Sequence, residues 1–510
     1  MAIHGTAGRR RLRTAVTVVS VAMALTVASC TGARSPETSP PGRTSLRLME
    51  FNIEYGGSQV DPDSVPAAIK AAGADVVAIE EGYATMPKIA EALGWKYYDE
   101  RTQIVSKYPL LAPADAAPFT YVEVAPGGVI AIANEHLPSG NYGPFNVRDG
   151  MDRTKVLKIE NELRVPAVRP ALEALGPLAT AGVPAFIVGD FNTPSHLDWT
   201  AAAIAGQKDK RYPVDWPVSE VVEAAGFRDS YRQLFPDPVA HPGLTWPANR
   251  PFVAGYNPYR HGDTPDRIDF IYDDGPATPV ENEIVGEGGA PGVDTVVSPW
   301  PSDHRAQVTT FDLTPAAPPV MLSVDRRLIR TDADALVRFH APGAAGEHVV
   351  AVPAGADPAT ASVADAPTNG ADGAVTLAPA GGWTAGAYDA VLLDASGQPL
   401  AKAPFWVEAA DQHPVVATRK AVYGVGDPID VTWRWAPGNR WDWVAIYRHH
   451  RDPNAAPYLE YVYTNATVDG SATIDIKAQG KWPLVPGAYS VYLMQDDSYV
   501  KLAGGDFTIR

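Results

Sequence analysis

Acidic and histidine side chains recur in this sequence where predicted strands begin or end. The residues in these positions are Glu80, Glu81, Asp190, Asn192, Asp269, Asp303 and His304. A carboxylate at a strand end is held on a rigid element, and its head group faces the crevice where α/β sheets bind ligands. Hard oxygen ligands without a cysteine or paired-histidine cluster suit Mg²⁺ or Mn²⁺ better than Zn²⁺. One such acid is more often a loop cap or a surface charge, but their repetition favours a metal-dependent active site.

The elements that position these residues alternate between strands and helices. Strands are predicted at 46–53, 75–81, 129–137, 185–192, 267–272 and 304–311. The segment from Asp152 to Gly176 has a helical composition, and we expect Pro166 and Pro170 to break that helix because proline lacks an N–H donor. This alternation predicts an α/β domain over residues 45–314.

Six short motifs in this region occur in a recognisable order. They are FNIEYGG (51–57), AIEEG (78–82), NEHL (134–137), GDFN (189–192), RIDFIY (267–272) and SDHR (302–305). Their order resembles that of the endonuclease/exonuclease/phosphatase superfamily, which includes pancreatic-type deoxyribonucleases, AP endonucleases, bacterial sphingomyelinases and inositol polyphosphate 5-phosphatases. The resemblance implies the DNase I-like fold, a four-layer α/β/β/α sandwich, and metal-dependent hydrolysis of a phosphoester.

The resemblance also implies a metal site. Asn52 and Glu81 match the metal-binding pair of the family, with Glu81 as the principal carboxylate, and Asp303 matches a third acid on the metal side. Glu80 stands where many relatives have glutamine. The expected cofactor is Mg²⁺ or Mn²⁺, and Ca²⁺ is a further candidate.

Five other residues match catalytic positions of the family. Asp190 resembles the residue that orients or deprotonates the attacking water, and Asn192 resembles the one that hydrogen-bonds the phosphate. His304 resembles the imidazole that contacts the scissile phosphate, and Asp269 the carboxylate that sets its tautomer. His136 matches a histidine that AP endonucleases lack, and it would serve as a general acid or a phosphate donor. The alternative for His136 is a purely structural role at a strand end.

Two loops, 138–155 and 241–263, mix aromatic and basic residues. Tyr142, Arg148 and His261 are candidates for binding the substrate, since aromatic rings and cations could hold a ring and a second anionic group. The alternative is that these loops pack on their own aromatic side chains.

An internal repeat follows a Pro-rich seam at 314–319. GAYDAVLLD (386–394) matches GAYSVYLMQD (487–496), and helical periodicity disappears in this part of the chain. Two all-β units of similar length fit tandem Ig-like β-sandwiches, which we expect at 315–411 and 412–510.

The second unit is rich in tryptophan. Trp433, Trp435 and Trp443 could line a platform for a sugar, or they could belong to the sandwich core. A cell-surface glycan or protein is therefore a candidate partner of the Ig-like units.

The N-terminus resembles that of a bacterial lipoprotein. Residues 1–29 combine a cluster of arginines with a short apolar segment, as in a signal peptide, and Cys30 follows where a lipidated cysteine would stand. Residues 30–44 are rich in proline, serine and threonine and are expected to form a flexible tether. The alternative is an ordinary secretory signal with an incidental cysteine. Because Cys30 is the only cysteine, no disulfide can form within one chain.

The net charge of the chain affects which substrates are expected. The formal net charge of the 510-residue chain is −17, and it becomes −21 without residues 1–29, which contain four arginines and no acid. Such a surface repels polyanions, and tight nucleic-acid grooves normally need a basic stripe. We therefore rank small or surface phosphodiesters level with nucleic acid, with phospholipid also open.

These observations predict an exported metal-dependent phosphoesterase that hydrolyses a P–O bond by in-line attack of water. We expect a phosphodiesterase that is a monomer, is anchored by lipid on the outer face of a bacterial cytoplasmic membrane or secreted, and acts on a phosphoester substrate. Two alternatives stay open: a phosphomonoesterase of the inositol-phosphatase type, and a surface carbohydrate- or protein-binding lipoprotein with a degenerate enzyme domain.

Overall fold

The computed structural model describes residues 42–113, 117–251, 255, 257–475 and 482–510. The predicted signal peptide, Cys30 and most of the predicted tether lie outside these residues. No helix in the described part of the chain is long and apolar enough to cross a membrane.

The described residues of the first domain form thirteen strands and eight helices. The strands are β1 (Thr44–Asn52), β2 (Val76–Glu80), β3 (Tyr97–Asp99), β4 (Ile104–Ser106), β5 (Leu110–Leu111), β6 (Thr120–Ala125), β7 (Gly128–His136), β8 (Ala185–Asp190), β9 (Arg228–Asp229), β10 (Asp269–Asp274), β11 (Ala277–Gly286), β12 (Thr295–Val296) and β13 (Ala306–Leu313). The helices are α1 (Glu54–Gly57), α2 (Ser64–Ala72), α3 (Met86–Leu93), α4 (Gly143–Arg148), α5 (Arg153–Thr180), α6 (Pro217–Ala224), α7 (Ser230–Leu234) and α8 (Pro258–His261).

The strands form two sheets that pack face to face. One has the order β12-β11-β13-β1-β2-β4-β3 and the other β5-β6-β7-β8-β10-β9. Their shared core contains Leu48 of β1, Ile132 of β7 and Phe186 of β8. Helices α2 and α3 cover the outer face of the first sheet, and α5 and α6 cover that of the second. Because both faces of each sheet are covered, the strands read as nearly continuous apolar runs. The predicted four-layer α/β/β/α fold is confirmed.

Helix α5 differs from the expectation. It runs unbroken from Arg153 to Thr180 through Pro166, Pro170 and Pro177, so the predicted break is wrong. All three prolines lie on the exposed side of the helix. The carbonyl groups that lose their hydrogen bonds there can bond to water instead. The opposite side is held against the second sheet by buried residues such as Val168 and Leu172, and this packing outweighs the loss of a few helical hydrogen bonds.

Two all-β units follow. The first contains β14 (Met321–Val324), β15 (Leu328–Arg330), β16 (Ala335–His340), β17 (His348–Pro353), α9 (Pro358–Ala361), β18 (Ala364–Pro367), β19 (Asp372–Leu377), β20 (Gly386–Leu393) and β21 (Pro399–Glu408). The second contains β22 (Val415–Thr418), β23 (Val422–Tyr423), β24 (Ile429–Arg434), β25 (Trp443–Arg448), β26 (Glu460–Tyr463), β27 (Gly470–Ile474), β28 (Gly487–Met494) and β29 (Lys501–Ile509).

Each unit is a β-sandwich of a three-stranded and a five-stranded sheet with one core between them. The strand orders correspond in the two units: β14-β16-β19 with β15-β21-β20-β17-β18, and β22-β24-β27 with β23-β29-β28-β25-β26. Trp433 belongs to the core of the second sandwich, as the structural interpretation of the tryptophans predicts. Trp443 lies on the other face of its sheet, among tyrosines.

Candidate active site

Strand register brings three predicted residues into one row at the edge of the second sheet. Strands β7 and β8 are parallel and pair His136 with Asp190, while β8 and β10 are antiparallel and pair Asp190 with Asp269. Asn52 at the end of β1 and His304 before β13 approach the same row from the first sheet. The site therefore lies where the ends of both sheets meet.

Asp190 is buried and held by two asparagines. Its carboxylate accepts hydrogen bonds from Asn52 Nδ2 at 3.1 Å and from the Asn192 backbone N at 2.8 Å. Asn192 Nδ2 donates to Asp190 Oδ2 at 3.1 Å and to the Leu137 carbonyl at 3.0 Å. Both N–H groups of the Asn192 side-chain amide thus already donate hydrogen bonds. Asn192 therefore positions Asp190, and its amide has no N–H group left to donate to a phosphate oxygen.

The first imidazole facing Asp190 belongs to His304. Its Nδ1 lies 3.0 Å from Asp269 Oδ1, which directs Nε2 toward Asp190 Oδ2 at 3.7 Å. Burial lowers the pKa of His304, but the negative charges of Asp269 and Asp190 outweigh it and raise that pKa well above its ordinary value. This shift favours the protonated ring, which can donate from Nε2.

The second imidazole belongs to His136, and its partner comes from the second β-sandwich. His136 Nδ1 lies 2.8 Å from Asp497 Oδ2, and its Nε2 lies 3.7 Å from Asp190 Oδ2. Burial lowers the pKa of His136, whereas the hydrogen bond and charge of Asp497 raise it to about 10. The sequence interpretation missed Asp497. The only sequence signal was a pair of acids, Asp496 and Asp497, in the turn after the second copy of the repeat.

Asp190 lies between these imidazoles. Burial raises the pKa of Asp190 to about 6, with the charge of Asp269 acting in the same direction and the charges of both histidines opposing it. A carboxylate with a pKa near the working pH is suited to accept a proton from water.

The predicted metal residues also lie at this edge. Glu81 follows β2 in the left-handed region, with φ of 54°, a backbone conformation that costs about 1–3 kcal/mol for a non-glycine residue. A backbone bond from Gly56 to the Glu81 carbonyl at 2.7 Å and a bond from the Tyr55 N to Glu81 Oε2 at 2.9 Å hold it there. Asp303 Oδ2 accepts from Trp246 Nε1 at 3.3 Å.

These residues fit a divalent metal ion. Glu81 and Asp303 offer carboxylate oxygens, and Asn52 offers an amide oxygen that accepts, among the described residues, only from the Glu54 N. Beneath them, Glu50 and Glu80 are buried and their carboxyl groups face each other, and no other described group donates a hydrogen bond to them. Burial, and then neighbouring acids, raises the pKa of Glu50 well above its ordinary value, and burial does the same for Glu80. A bound cation would offset the negative charge of these neighbouring carboxyl groups.

A second arrangement is also compatible with metal binding. The ligand atoms of Asp190, Asp269 and His304 lie within 4.8 Å of one another, and all three residues are buried.

The sequence interpretation missed Glu50. Its signal was an acid inside the apolar run of β1, where a charge is costly unless it has a partner or a function.

A cavity of about 200 Å³ opens above these groups. Its lining contains Glu81, His136, Ser139, Tyr142, Phe145, Asp190, Asn192, Trp246, Ile268 and His304. Tyr142, predicted to bind substrate, lies in this wall, where its hydroxyl donates to Asp266 Oδ2 at 3.1 Å. The structure therefore brings Tyr142 to the site together with Phe145 and Trp246.

The structure does not bring the other two predicted substrate residues into that cavity. Arg148 stacks over Phe145, 4.3 Å from the ring centroid, and its Nη1 lies 3.7 Å from Asp263 Oδ1. His261 is exposed, and its Nδ1 lies 2.8 Å from the same carboxylate. Both side chains thus contact the buried Asp263, and neither belongs to the lining of the cavity.

Sequence comparison agrees with this geometry. The model of the endonuclease/exonuclease/phosphatase family matches residues 49–304, which is half of the chain and contains all the groups described above except Asp497. The chain belongs to the endonuclease/exonuclease/phosphatase family. Members of this family hydrolyse phosphoester bonds and generally use divalent metals.

Individual proteins similar to this chain each match about half of it. An uncharacterized protein of Caenorhabditis elegans, F14F9.5, is 29% identical over an alignment of 303 residues, and the match covers 53% of this chain and 93% of the nematode protein. Among solved structures, zebrafish TDP2 in complex with a single-stranded DNA product is 16% identical, with a TM-score of 0.34, and the match covers 53% of this chain and 99% of that one. An AP endonuclease from Archaeoglobus fulgidus is also 16% identical, with a TM-score of 0.32, over 52% of this chain and all of that one.

Proposed function

We propose that this chain is a metal-dependent phosphodiesterase. The observation that carries the proposal is the pair of imidazoles, from His136 and His304, whose Nε2 atoms each lie 3.7 Å from Asp190 Oδ2 at the cavity. The site therefore offers a base between two proton donors. Hydrolysis of a diester needs a base for the water and an acid for the leaving alcohol, and the donors also neutralise the charge that develops on the phosphoryl oxygens.

Each group has a role in the proposed reaction. Asp190 takes a proton from water as the water oxygen bonds to phosphorus on the side opposite the leaving oxygen. His304 donates a hydrogen bond from Nε2 to a phosphoryl oxygen. The bond from phosphorus to the leaving oxygen breaks, and His136 gives that oxygen its proton. A metal held by Glu81, Asp303 and Asn52 would supply further positive charge at the phosphoryl group.

The proposal is tested by hydrolysis of bis-(p-nitrophenyl) phosphate. The protein would be the chain from Thr31 onward, which contains every described residue, assayed with Mg²⁺ or Mn²⁺ and then with EDTA. We expect release of p-nitrophenol that EDTA abolishes. His304→Ala should lower the rate by about 10²–10³-fold, since it removes one donor to the transition state. His348→Ala, in the first sandwich, is the matched control.

Other results would change the conclusion. Turnover of p-nitrophenyl phosphate without turnover of the diester would indicate a phosphomonoesterase. Turnover of neither substrate with any metal, together with no thermal shift on addition of Mg²⁺ or Mn²⁺, would favour a surface-binding protein with a degenerate enzyme domain.

We also propose that the protein is exported and held at the membrane through a lipid on Cys30. This rests on the arginine cluster, the short apolar segment and the cysteine that follows it. Metabolic labelling with a clickable fatty acid should mark the full chain but not Cys30→Ala. Equal labelling of both would contradict the anchor.

A further inference from the structure

A second cavity adjoins the catalytic one, and we name it the tyrosine pocket. It measures about 160 Å³ and shares Glu81, His136 and Ser139 with the catalytic cavity. Its aromatic walls come from two domains: Tyr55 and Tyr83 from the first domain, and Trp443, Tyr458, Tyr461, Tyr463 and Tyr499 from the second sandwich. A group esterified to a phosphate in the catalytic cavity can therefore extend into the tyrosine pocket past His136.

Buried polar contacts hold the second sandwich in this position. Arg440 Nη2 bonds both carboxylate oxygens of Glu135, at 2.7 and 2.9 Å. Asp496 accepts from Gln103 Nε2 at 2.7 Å and from the Ala84 N at 3.0 Å. The sandwich that forms one wall of the pocket is thus tied to the first domain by buried polar contacts, and the pocket is a built feature of the fold.

The pocket presents hydroxyl groups that have no hydrogen-bond partner among the described residues. The Tyr463 hydroxyl donates to Asp497 Oδ1 at 2.8 Å. The hydroxyls of Tyr458, Tyr461 and Tyr499 make no hydrogen bond within the described part of the chain. Burial raises the pKa of these three phenols above the ordinary value, so each keeps its proton. Each can both donate and accept a hydrogen bond, as an alcohol on a ligand requires.

The charged residues in the lining of the tyrosine pocket restrict the class of ligand that it can bind. No lysine or arginine stands among the described residues of the lining, so a second phosphate or a carboxylate would find only the His136 imidazole, which already faces Asp190 and Asp497, and phenol hydroxyls. Its two acids already take part in hydrogen bonds, Asp497 with His136 and Tyr463, and Glu81 with the Tyr55 N and the Tyr83 hydroxyl. A cationic head group would therefore meet aromatic faces but no carboxylate free of protein hydrogen bonds. Aromatic rings with free hydroxyls match a neutral ring that carries several alcohols.

We propose that the tyrosine pocket is a subsite for a neutral, polyhydroxylated ring, a sugar or a cyclitol, joined to the phosphate that is cleaved. The proposal rests on the proposed phosphodiesterase function and names its substrate class. Edge-to-face contacts from Trp443 to Tyr458 at 5.3 Å, to Tyr461 at 5.8 Å and to Tyr499 at 5.9 Å fix the rings, so that the hydroxyls are placed before the ligand arrives.

The kinetic test compares four diesters with the same p-nitrophenyl group. Their second substituents are glucose, linked through its 6-phosphate, myo-inositol, choline, and a second p-nitrophenyl group. Loss of each diester is followed by phosphorus NMR, and kcat/KM is divided by that for bis-(p-nitrophenyl) phosphate. We expect the glucose or the inositol ester to be preferred at least 10-fold, and the larger of the two ratios tells the sugar from the cyclitol. Preference for the choline ester, or equal rates for all, would overturn the proposal.

Variants of the pocket tyrosines test whether a preference among the diesters arises in the tyrosine pocket. Tyr458→Phe, Tyr461→Phe and Tyr499→Phe each remove only an unpartnered hydroxyl, and each should lower the selectivity ratio by about 3–10-fold. Tyr492→Phe is the control, since Tyr492 is buried in the same sandwich but outside the lining. A triple variant that keeps the full ratio would overturn the proposal.

A binding measurement separates this inference from the proposed function. Saturation-transfer NMR with methyl α-glucopyranoside and with myo-inositol needs no turnover. Transfer to one of them in the parent chain, lost in the triple variant, would support the pocket even if bis-(p-nitrophenyl) phosphate were not hydrolysed. Absence of transfer to both, with the diester hydrolysed, would overturn the pocket and leave the phosphodiesterase standing.

Discussion

Replacing Arg440 by alanine should loosen the second sandwich from the first domain. Arg440 bonds both oxygens of the Glu135 carboxylate and also donates to the carbonyls of Asn134 and Pro118. Glu135 is only 2% exposed, and among the described residues Arg440 is the side chain that hydrogen-bonds its carboxylate. Removing one partner of a buried pair leaves an uncompensated charge and costs about 3–5 kcal/mol. We expect a loss of that size in the free energy of unfolding at neutral pH.

The loss should depend on pH. Burial already raises the pKa of Glu135 against the opposing charge of Arg440, so without the arginine this pKa rises further. A carboxyl group with a higher pKa in the folded state binds more protons there than in the unfolded state, and stability then falls as pH rises through the interval between the two values. Arg440→Ala should therefore be less destabilised at pH 5 than at pH 8.

Urea titrations followed by tryptophan fluorescence and circular dichroism at both pH values measure this effect. Arg434→Ala is the matched control, because Arg434 lies on the same sandwich, is exposed, and makes no side-chain bond within the described residues; it should change stability by less than about 0.5 kcal/mol. Glu135→Gln added to Arg440→Ala should recover part of the loss at pH 8. A loss below 1 kcal/mol, or one that is equal at both pH values, would refute the reasoning.

Three further outcomes follow from the geometry. Burial raises the pKa of Asp273 to about 7, so part of the stability is lost as pH rises from about 4 to 7, and Asp273→Asn should flatten that fall in urea titrations. Gly189→Ala should prevent soluble expression, because Gly189 has φ of 136° and the new Cβ would lie 1.9 Å from the Glu135 carbonyl oxygen; a folded variant would contradict this. Asp497→Asn should lower kcat, with KM for bis-(p-nitrophenyl) phosphate unchanged, by on the order of 10²-fold because His136 loses the carboxylate that orients it; a rise in KM alone would show a binding role instead.

The sequence predicted the fold of the first domain correctly because the signals for its strands are local. An apolar run that ends in a polar residue marks both the strand and the position of the side chain at its end. Since β7 and β8 are parallel neighbours, residues that end their runs, His136 and Asp190, come to lie side by side. The repeat at 386–394 and 487–496 likewise indicated two similar all-β units, and its two copies form the central strands, β20 and β28, of the corresponding five-stranded sheets.

Helix α5 shows where a local rule fails. The rule for proline concerns a lost N–H, but the outcome depends on whether the freed carbonyl reaches water and whether the other side of the helix is packed. Pro166 and Pro170 are exposed and the opposite side is buried, so the helix continues. Exposure is a property of the folded molecule, which composition alone does not contain.

The sequence by itself determined the fold of the first domain, the family, and the residues at the strand ends, because each depends on patterns a few residues long. Only the tertiary structure decided which groups complete the site. Asp497 lies 361 residues from His136 along the chain, yet their side chains are in contact. The tyrosine pocket likewise brings Tyr55 and Tyr83 together with tyrosines of the second sandwich, which lies more than 300 residues later in the sequence. Such contacts are set by how one folded domain docks on another, and docking depends on the shape and charge of whole surfaces.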